Sequence, residues 1–133
     1  MNLYKALKDG SGDHRPLRKL EVVAPAALAQ LASSYPALPS DYSVFLETVG
    51  SGEIGQAAFM LYDGLLTAEQ IYDKQTAAGL AGVLLFGDDM QGYCVGFDSG
   101  KGWAVVEVDP LNGQAHEVAG GFETYLRELL SSL

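Results

Sequence analysis

Cysteine is almost absent. Cys94 stands alone among 133 residues, so no intrachain disulfide forms and no cysteine-based zinc cluster is available. Histidine is nearly as scarce, with only His14 and His116. No run of about 18 apolar residues occurs and no apolar block of signal type opens the chain, which predicts a cytoplasmic protein that keeps away from membranes. Bases are few as well, 8 against 17 acids, for a net charge of −9. Five of the eight (Lys5, Lys8, Arg15, Arg18 and Lys19) fall in the first 19 positions, so three bases face 15 acids from position 20 onward. A surface of that sign repels nucleic acid and anionic lipid and suits a basic protein partner. Acidity for solubility alone is the plainer reading.

What is present describes one ordinary domain. The apolar fraction is 48% and the charged fraction 19%, too apolar for disorder. A chain near this length buries roughly 68–70% of its unfolded surface, enough for a core without staples. Residues 1–24 read as an irregular N-terminal segment, with a turn cluster at 9–13 and a break at Pro16. Residues 25–133 read as the domain. Leu28, Leu31, Ala32 and Tyr35 have helical spacing after Pro25, and Pro36 and Pro39 end that helix. Tyr42, Phe45, Leu46 and Val49 repeat the spacing, with Ser40 as cap and Gly50 as stop.

Beyond Gly50 the pattern changes. Phe59 to Tyr62 predicts a strand ended by Asp63-Gly64, and Thr67-Ala68-Glu69-Gln70 is a capping box for a short helix reaching about Tyr72. Strands follow at Val83–Phe86, Tyr93–Phe97, Trp103–Asp109 and Ala115–Val118, the last three as an antiparallel meander. Tyr93 and Trp103 are expected to flank one turn on adjacent strands. Phe122, Tyr125, Leu126, Leu129, Leu130 and Leu133 predict a closing helix, packed on the sheet through Phe122, Tyr125 and Leu129. The expected class is α+β, a mainly antiparallel sheet with helices on one face.

Motifs for chemistry are thin. Gly50-Ser51-Gly52-Glu53-Ile54-Gly55 fits G-x-G-x-x-G but follows a helix and precedes a strand, the reverse of a dinucleotide site, and reads as a helix stop and turn. No serine is framed as G-x-S-x-G. Cys94, in an apolar strand, reads as a buried inert thiol, although a Cys94–His116 pair across neighbouring strands is conceivable. Asp88-Asp89-Met90-Gln91-Gly92 resembles an ion-binding turn only weakly, because Met90 fills a ligand slot. No cofactor or metal site is expected. The candidate binding residues are Glu53, Asp63, Asp88 and Asp89 near loops, with Tyr62 or Tyr93 as an aromatic anchor.

Several of these segments resemble one family. Leu38-Pro39-Ser40-Asp41-Tyr42, then Phe45-Leu46 and a glycine turn, resemble the signature of the SUKH superfamily, which includes a yeast cell-wall synthesis regulator and many bacterial proteins. Phe59–Tyr62, Phe86-Gly87-Asp88, Gly92–Asp98 and Phe122 with Tyr125-Leu126 are similar to its later elements. The likeness spans about Pro25 to Leu130, with Val49-Gly50 lacking the asparagine usual before the glycine turn. The resemblance implies a non-enzymatic fold and, for bacterial members, an immunity protein that neutralises a polymorphic toxin, often a basic nuclease. The alternatives are a housekeeping interaction or regulatory scaffold, and a small hydrolase using Cys94 or a carboxylate pair.

Overall fold

Alternation of apolar side chains after Gly50 builds the sheet. The computed structural model describes Leu17 and residues 19–133. Six strands, β1 (Gly52–Ile54), β2 (Phe59–Thr67), β3 (Val83–Asp88), β4 (Cys94–Asp98), β5 (Ala104–Val108) and β6 (Ala115–Ala119), lie in sequence order in one sheet. Every neighbouring pair is antiparallel. Because successive side chains on a strand point to opposite faces, the sheet has two apolar sides, and each needs a cover.

Three helices cover the first side. They are α1 (Pro25–Ser34), α2 (Ser40–Thr48) and α4 (Phe122–Ser131). Tyr42, Phe45 and Leu46 from α2 and Phe122 and Leu126 from α4 are buried with Ile54, Phe59, Leu61, Phe86, Val95, Phe97 and Val105 of the sheet. Burial of each large apolar side chain contributes about 1.5–3 kcal/mol. The rings also meet edge to face, Tyr42–Phe122 with centroids 5.1 Å apart and Tyr42–Phe97 5.2 Å. In α1 no residue is fully buried, and it leans on this core through half-buried Leu28 and Leu31. At the start of α4 the cap position is Gly121, which has no side chain to offer, and Asp41 serves instead, its Oδ2 accepting the Glu123 N–H at 3.0 Å. The observed architecture is therefore α+β, an antiparallel sheet whose three longer helices share one face; the expectation that all helices lie on that face needs correction, because a short helix covers the other.

The second side carries a smaller lid. A 3₁₀ turn (Ala68–Gln70) and the short α3 (Lys74–Ala78) bury Ala68, Ala77 and Leu80 against Val83, Leu85, Cys94, Val106 and Val108. The capping box forms, Thr67 N donating to Gln70 Oε1 at 2.8 Å. A new helix then starts at Asp73, whose Oδ1 accepts the Thr76 N–H at 2.7 Å.

Several sequence expectations need correction. Ser40 is the first residue of α2 rather than its cap, and Pro39 holds the cap position. Asp63-Gly64 does not end β2: the strand continues to Thr67 through a register shift between Leu61 and Leu66, and a bulge accommodates turn-type residues inside a strand. Tyr93 and Trp103 sit at opposite ends of β4, since Cys94 opposes Val108 and Asp98 opposes Ala104. The closing helix α4 does pack on the core through Phe122, Tyr125 and Leu129 as expected, with Leu129 half-buried and Leu126 the more deeply buried leucine. Most of the expected irregular segment 1–24, with His14 and four of its five bases, lies outside the described residues. Its described part is built in: Leu17 and Val23 are core residues, and Glu21 and Ser51 exchange backbone hydrogen bonds at 3.0 and 2.9 Å beside β1.

That bridge explains the glycine motif. Gly50 has φ +112°, and a Cβ there would stand 2.1 Å from the Glu21 carbonyl oxygen. The first glycine of G-x-G-x-x-G thus lets the chain leave α2 and pass close to Glu21.

Candidate functional site at the hairpin-tip end of the sheet

The register decides which candidate residues meet. Glu53 opposes Met60, Met60 opposes Asp88, and Asp88 opposes Cys94. Directly opposed residues share a face, so Glu53 and Asp88 stand in one cross-sheet row on the side of the small lid. Tyr62, two residues beyond Met60, joins them, and its hydroxyl donates to Asp88 Oδ2 at 2.6 Å. Burial, then this carboxylate, raises the Tyr62 hydroxyl above the ordinary tyrosine range. Glu53 Oε2 accepts the Ala57 N–H at 2.8 Å and pairs with Lys19 at 3.1 Å, and these two contacts lower its pKa.

Asp89 and Tyr93 lie in the adjoining turn, where Asp89 Oδ1 accepts N–H groups from Gln91 at 2.8 Å and Tyr93 at 3.0 Å. Asp63 does not join the group. One residue on from Tyr62, it points to the helix-covered side, where its charge bears on the Tyr42 hydroxyl.

The sheet end that holds Asp88 also holds three turns. In a meander, alternate connections fall at the same end, here 55–58, 89–93 and 109–114. Each is closed by its own side chain. Besides Glu53 and Asp89, Asp88 Oδ1 accepts from Met90 N at 2.7 Å, Asp109 Oδ1 from Leu111 N at 2.8 Å and Asn112 Oδ1 from Gln114 N at 2.9 Å. These acids therefore have a structural task, satisfying turn N–H groups. The ion-binding look of 88–92 has the same cause, since its carboxylates aim at its own backbone.

Three apolar side chains at this end lay outside the expected set. Leu111 is 93% exposed, Leu133 50% and Met90 43%. Leu133 lies against the first turn, its Cδ1 being 3.5 Å from where a Cβ on Gly55 would stand, and Pro110 is similarly close to Gly92 of the second. Met90 has φ 63°, in the left-handed region that disfavours side chains other than those of Gly, Asn and Asp.

Cys94 is buried beneath the lid beside Tyr62 and Tyr72, and burial is the main cause that raises its thiol pKa. His116 sits two strands away on β6. Its chain neighbour Ala115, not His116 itself, aligns with Val108 and Cys94, so the imidazole faces the other side and pairs with its row neighbour Glu107 at 3.7 Å. The conceivable Cys94–His116 pair is thereby separated by the sheet. A polar cleft of about 690 Å³ runs beside α3, lined by Gln75, Thr76, Asp98, Lys101, Asn112 and Gln114 among others. Among the described residues no group of His, Cys, Asp and Glu is arranged to hold a metal ion, and no helix is long and apolar enough to cross a membrane.

Fold and site together define a small α+β meander that presents three hairpin tips, acids and apolar side chains at one end. No family model matches the chain, and no curated protein or solved structure matches it either.

Proposed function

We propose that the chain is a cytoplasmic, non-catalytic protein-binding module of the immunity type, which holds a basic toxin domain at the hairpin-tip end. One observation carries this reading: Glu53 and Asp88 share a row on the sheet, with Asp89 and Asp109 in the turns beside them, in a chain of net charge −9. Carboxylates already oriented by backbone N–H groups lose little freedom when a cation arrives. Their summed field accelerates encounter with a basic surface, by roughly 10–1,000-fold in strongly steered pairs. The resemblance of Leu38-Pro39-Ser40-Asp41-Tyr42 and Phe45-Leu46 to the SUKH signature supports the same reading.

The test looks for a basic toxin domain in the reading frames flanking this one, whose absence would itself count against the reading, and mixes that domain with wild type and with Asp88→Asn/Asp89→Asn. Asparagine keeps the turn acceptors and removes two charges. Association of the variant should be slower by about tenfold at low salt, and the difference should vanish toward 1 M salt, where the screening length is about 3 Å. Co-expression of the wild type should also restore growth in cells making the toxin. Equal association rates at low salt, or no growth rescue, would overturn the reading.

A further inference from the structure

We infer that Leu111, Met90 and Leu133 are the apolar anchors of a docking surface at the hairpin-tip end, which receives a cationic protein surface bearing an apolar recess. The inference rests on the protein-binding reading above and names the contacts that would hold the partner after encounter.

Six large hydrophobic side chains are exposed among the described residues, and these three share one end of the sheet. Local structure does not require Leu111 or Met90, and Leu133 stays half in water where it lies against the first turn. The 109–114 turn is held by the Asp109 and Asn112 side chains accepting backbone N–H groups, so a polar residue would serve as well as Leu111, which is 93% in water. Met90 occupies a left-handed position, φ 63°, where glycine would be unstrained. A bulky, exposed side chain kept at such a position points to what it presents rather than to how the turn is built. Methionine also adapts its shape to varied apolar surfaces.

The spacing fits an interface. Alternate hairpins are two strand separations apart, roughly 10 Å, so the three tips span roughly 20 Å. That lies within the footprint of a standard interface, about 800 Å² on each partner. The surround fits as well. Glu53, Asp88, Asp89 and Asp109 lie in or beside the same three turns, so an acidic rim adjoins the apolar tips. The sign of that rim selects a cationic partner and disfavours a second copy of this acidic chain.

The experiment titrates the ¹⁵N-labelled chain with two defined probes, an amphipathic leucine–lysine peptide and an oligolysine of equal charge. The variants are Leu111→Ser, Leu133→Ser and Met90→Gly. The leucine–lysine peptide should shift amides in 55–58, 89–93 and 109–114 and bind at least about tenfold more tightly than oligolysine. Each variant should weaken it at least about threefold, and Met90→Gly should do so while raising the melting temperature, because glycine relieves the left-handed backbone. A purely structural role for Met90 predicts no loss of binding. Equal affinity for the two peptides, shifts centred elsewhere, or variants that bind like wild type would overturn the inference. The toxin domain separates the two claims. If it binds wild type and all three variants alike, the anchors are wrong and the immunity reading stands. If it binds none of them, that reading fails, and the peptide titration alone decides the anchors.

Discussion

Replacing Tyr42 with phenylalanine should make the protein more stable. The Tyr42 side chain is fully buried, and its hydroxyl finds no hydrogen-bond partner among the described residues. Its ring packs edge to face on Phe97 and Phe122 and is tilted against Phe86, contacts that phenylalanine keeps. A buried polar group without a partner costs about 1–3 kcal/mol, and Tyr42→Phe removes that cost. For a chain of this length a gain of 1 kcal/mol raises the melting temperature by about 2–8 °C. Guanidinium unfolding at pH 7 measures the change directly, followed by the fluorescence of Trp103, the single tryptophan, which packs between Tyr35 and Phe97.

A pH arm makes the test sharper. Burial, helped by the nearby Asp63 charge, raises the Tyr42 hydroxyl far above the ordinary value, whereas in the unfolded chain it ionises near pH 10. Above pH 10 the unfolded state therefore binds fewer protons than the folded one, and stability falls as pH rises. For this residue the slope approaches about 1.4 kcal/mol per pH unit. The advantage of Tyr42→Phe should widen accordingly between pH 10 and 11. A loss of 1 kcal/mol or more at pH 7 would refute the reasoning, as it would mean that the hydroxyl is well bonded. So would an advantage that stays constant with pH.

Two further outcomes follow from the same structure. Asp41→Ala removes the cap that α2 lends to α4 through Glu123 N and should cost about 0.5–2 kcal/mol, read as a lower guanidinium midpoint at unchanged slope, with Asp41→Asn recovering most of it. Cys94, buried with a raised thiol pKa, should react with Ellman's reagent only as fast as the lid opens, and on the order of 100-fold faster in denaturant. Rapid labelling of the native protein would instead favour a reactive thiol and revive the hydrolase alternative.

Much of the fold was legible because it is written locally. The two stripes at 28–35 and 42–49 and the apolar alternation at 93–97 each depend on neighbours in sequence, and each formed the expected element. The capping box at 67–70 opened only a 3₁₀ turn ending at Gln70 instead of a helix reaching Tyr72. What escaped depends on distant parts of the chain. β1 has three residues and sits among glycines. Pairing with Phe59–Leu61 on one side, and the Glu21–Ser51 bridge next to it, make it a strand. Asp63-Gly64 reads as a turn in isolation, and only the pairing with β3 carries the chain past it as a bulge. The candidate site divides in the same way. That Asp88 and Asp89 lie in a turn is visible locally, but the parity that puts Tyr62 beside Asp88 and sends Asp63 to the other side needs the register. Leu111 and Met90 read as unremarkable loop residues because sequence does not say that alternate hairpins end side by side.

Each hairpin tip is closed by a side chain belonging to that hairpin, Glu53 for the first, Asp88 and Asp89 for the second, Asp109 and Asn112 for the third. No tip borrows its closure from another. Exposed crest residues such as Met90 and Leu111 can therefore be exchanged without disturbing the pairing of any strand, whereas the positive-φ glycines Gly55, Gly92 and Gly113 stay fixed, and changes at separate tips should combine almost additively. Such a sheet behaves as three independently variable positions on a common mount. A lineage using it could acquire a new recognition surface through a few substitutions in 55–58, 89–93 and 109–114, leaving the aromatic core beneath α2 and α4 untouched.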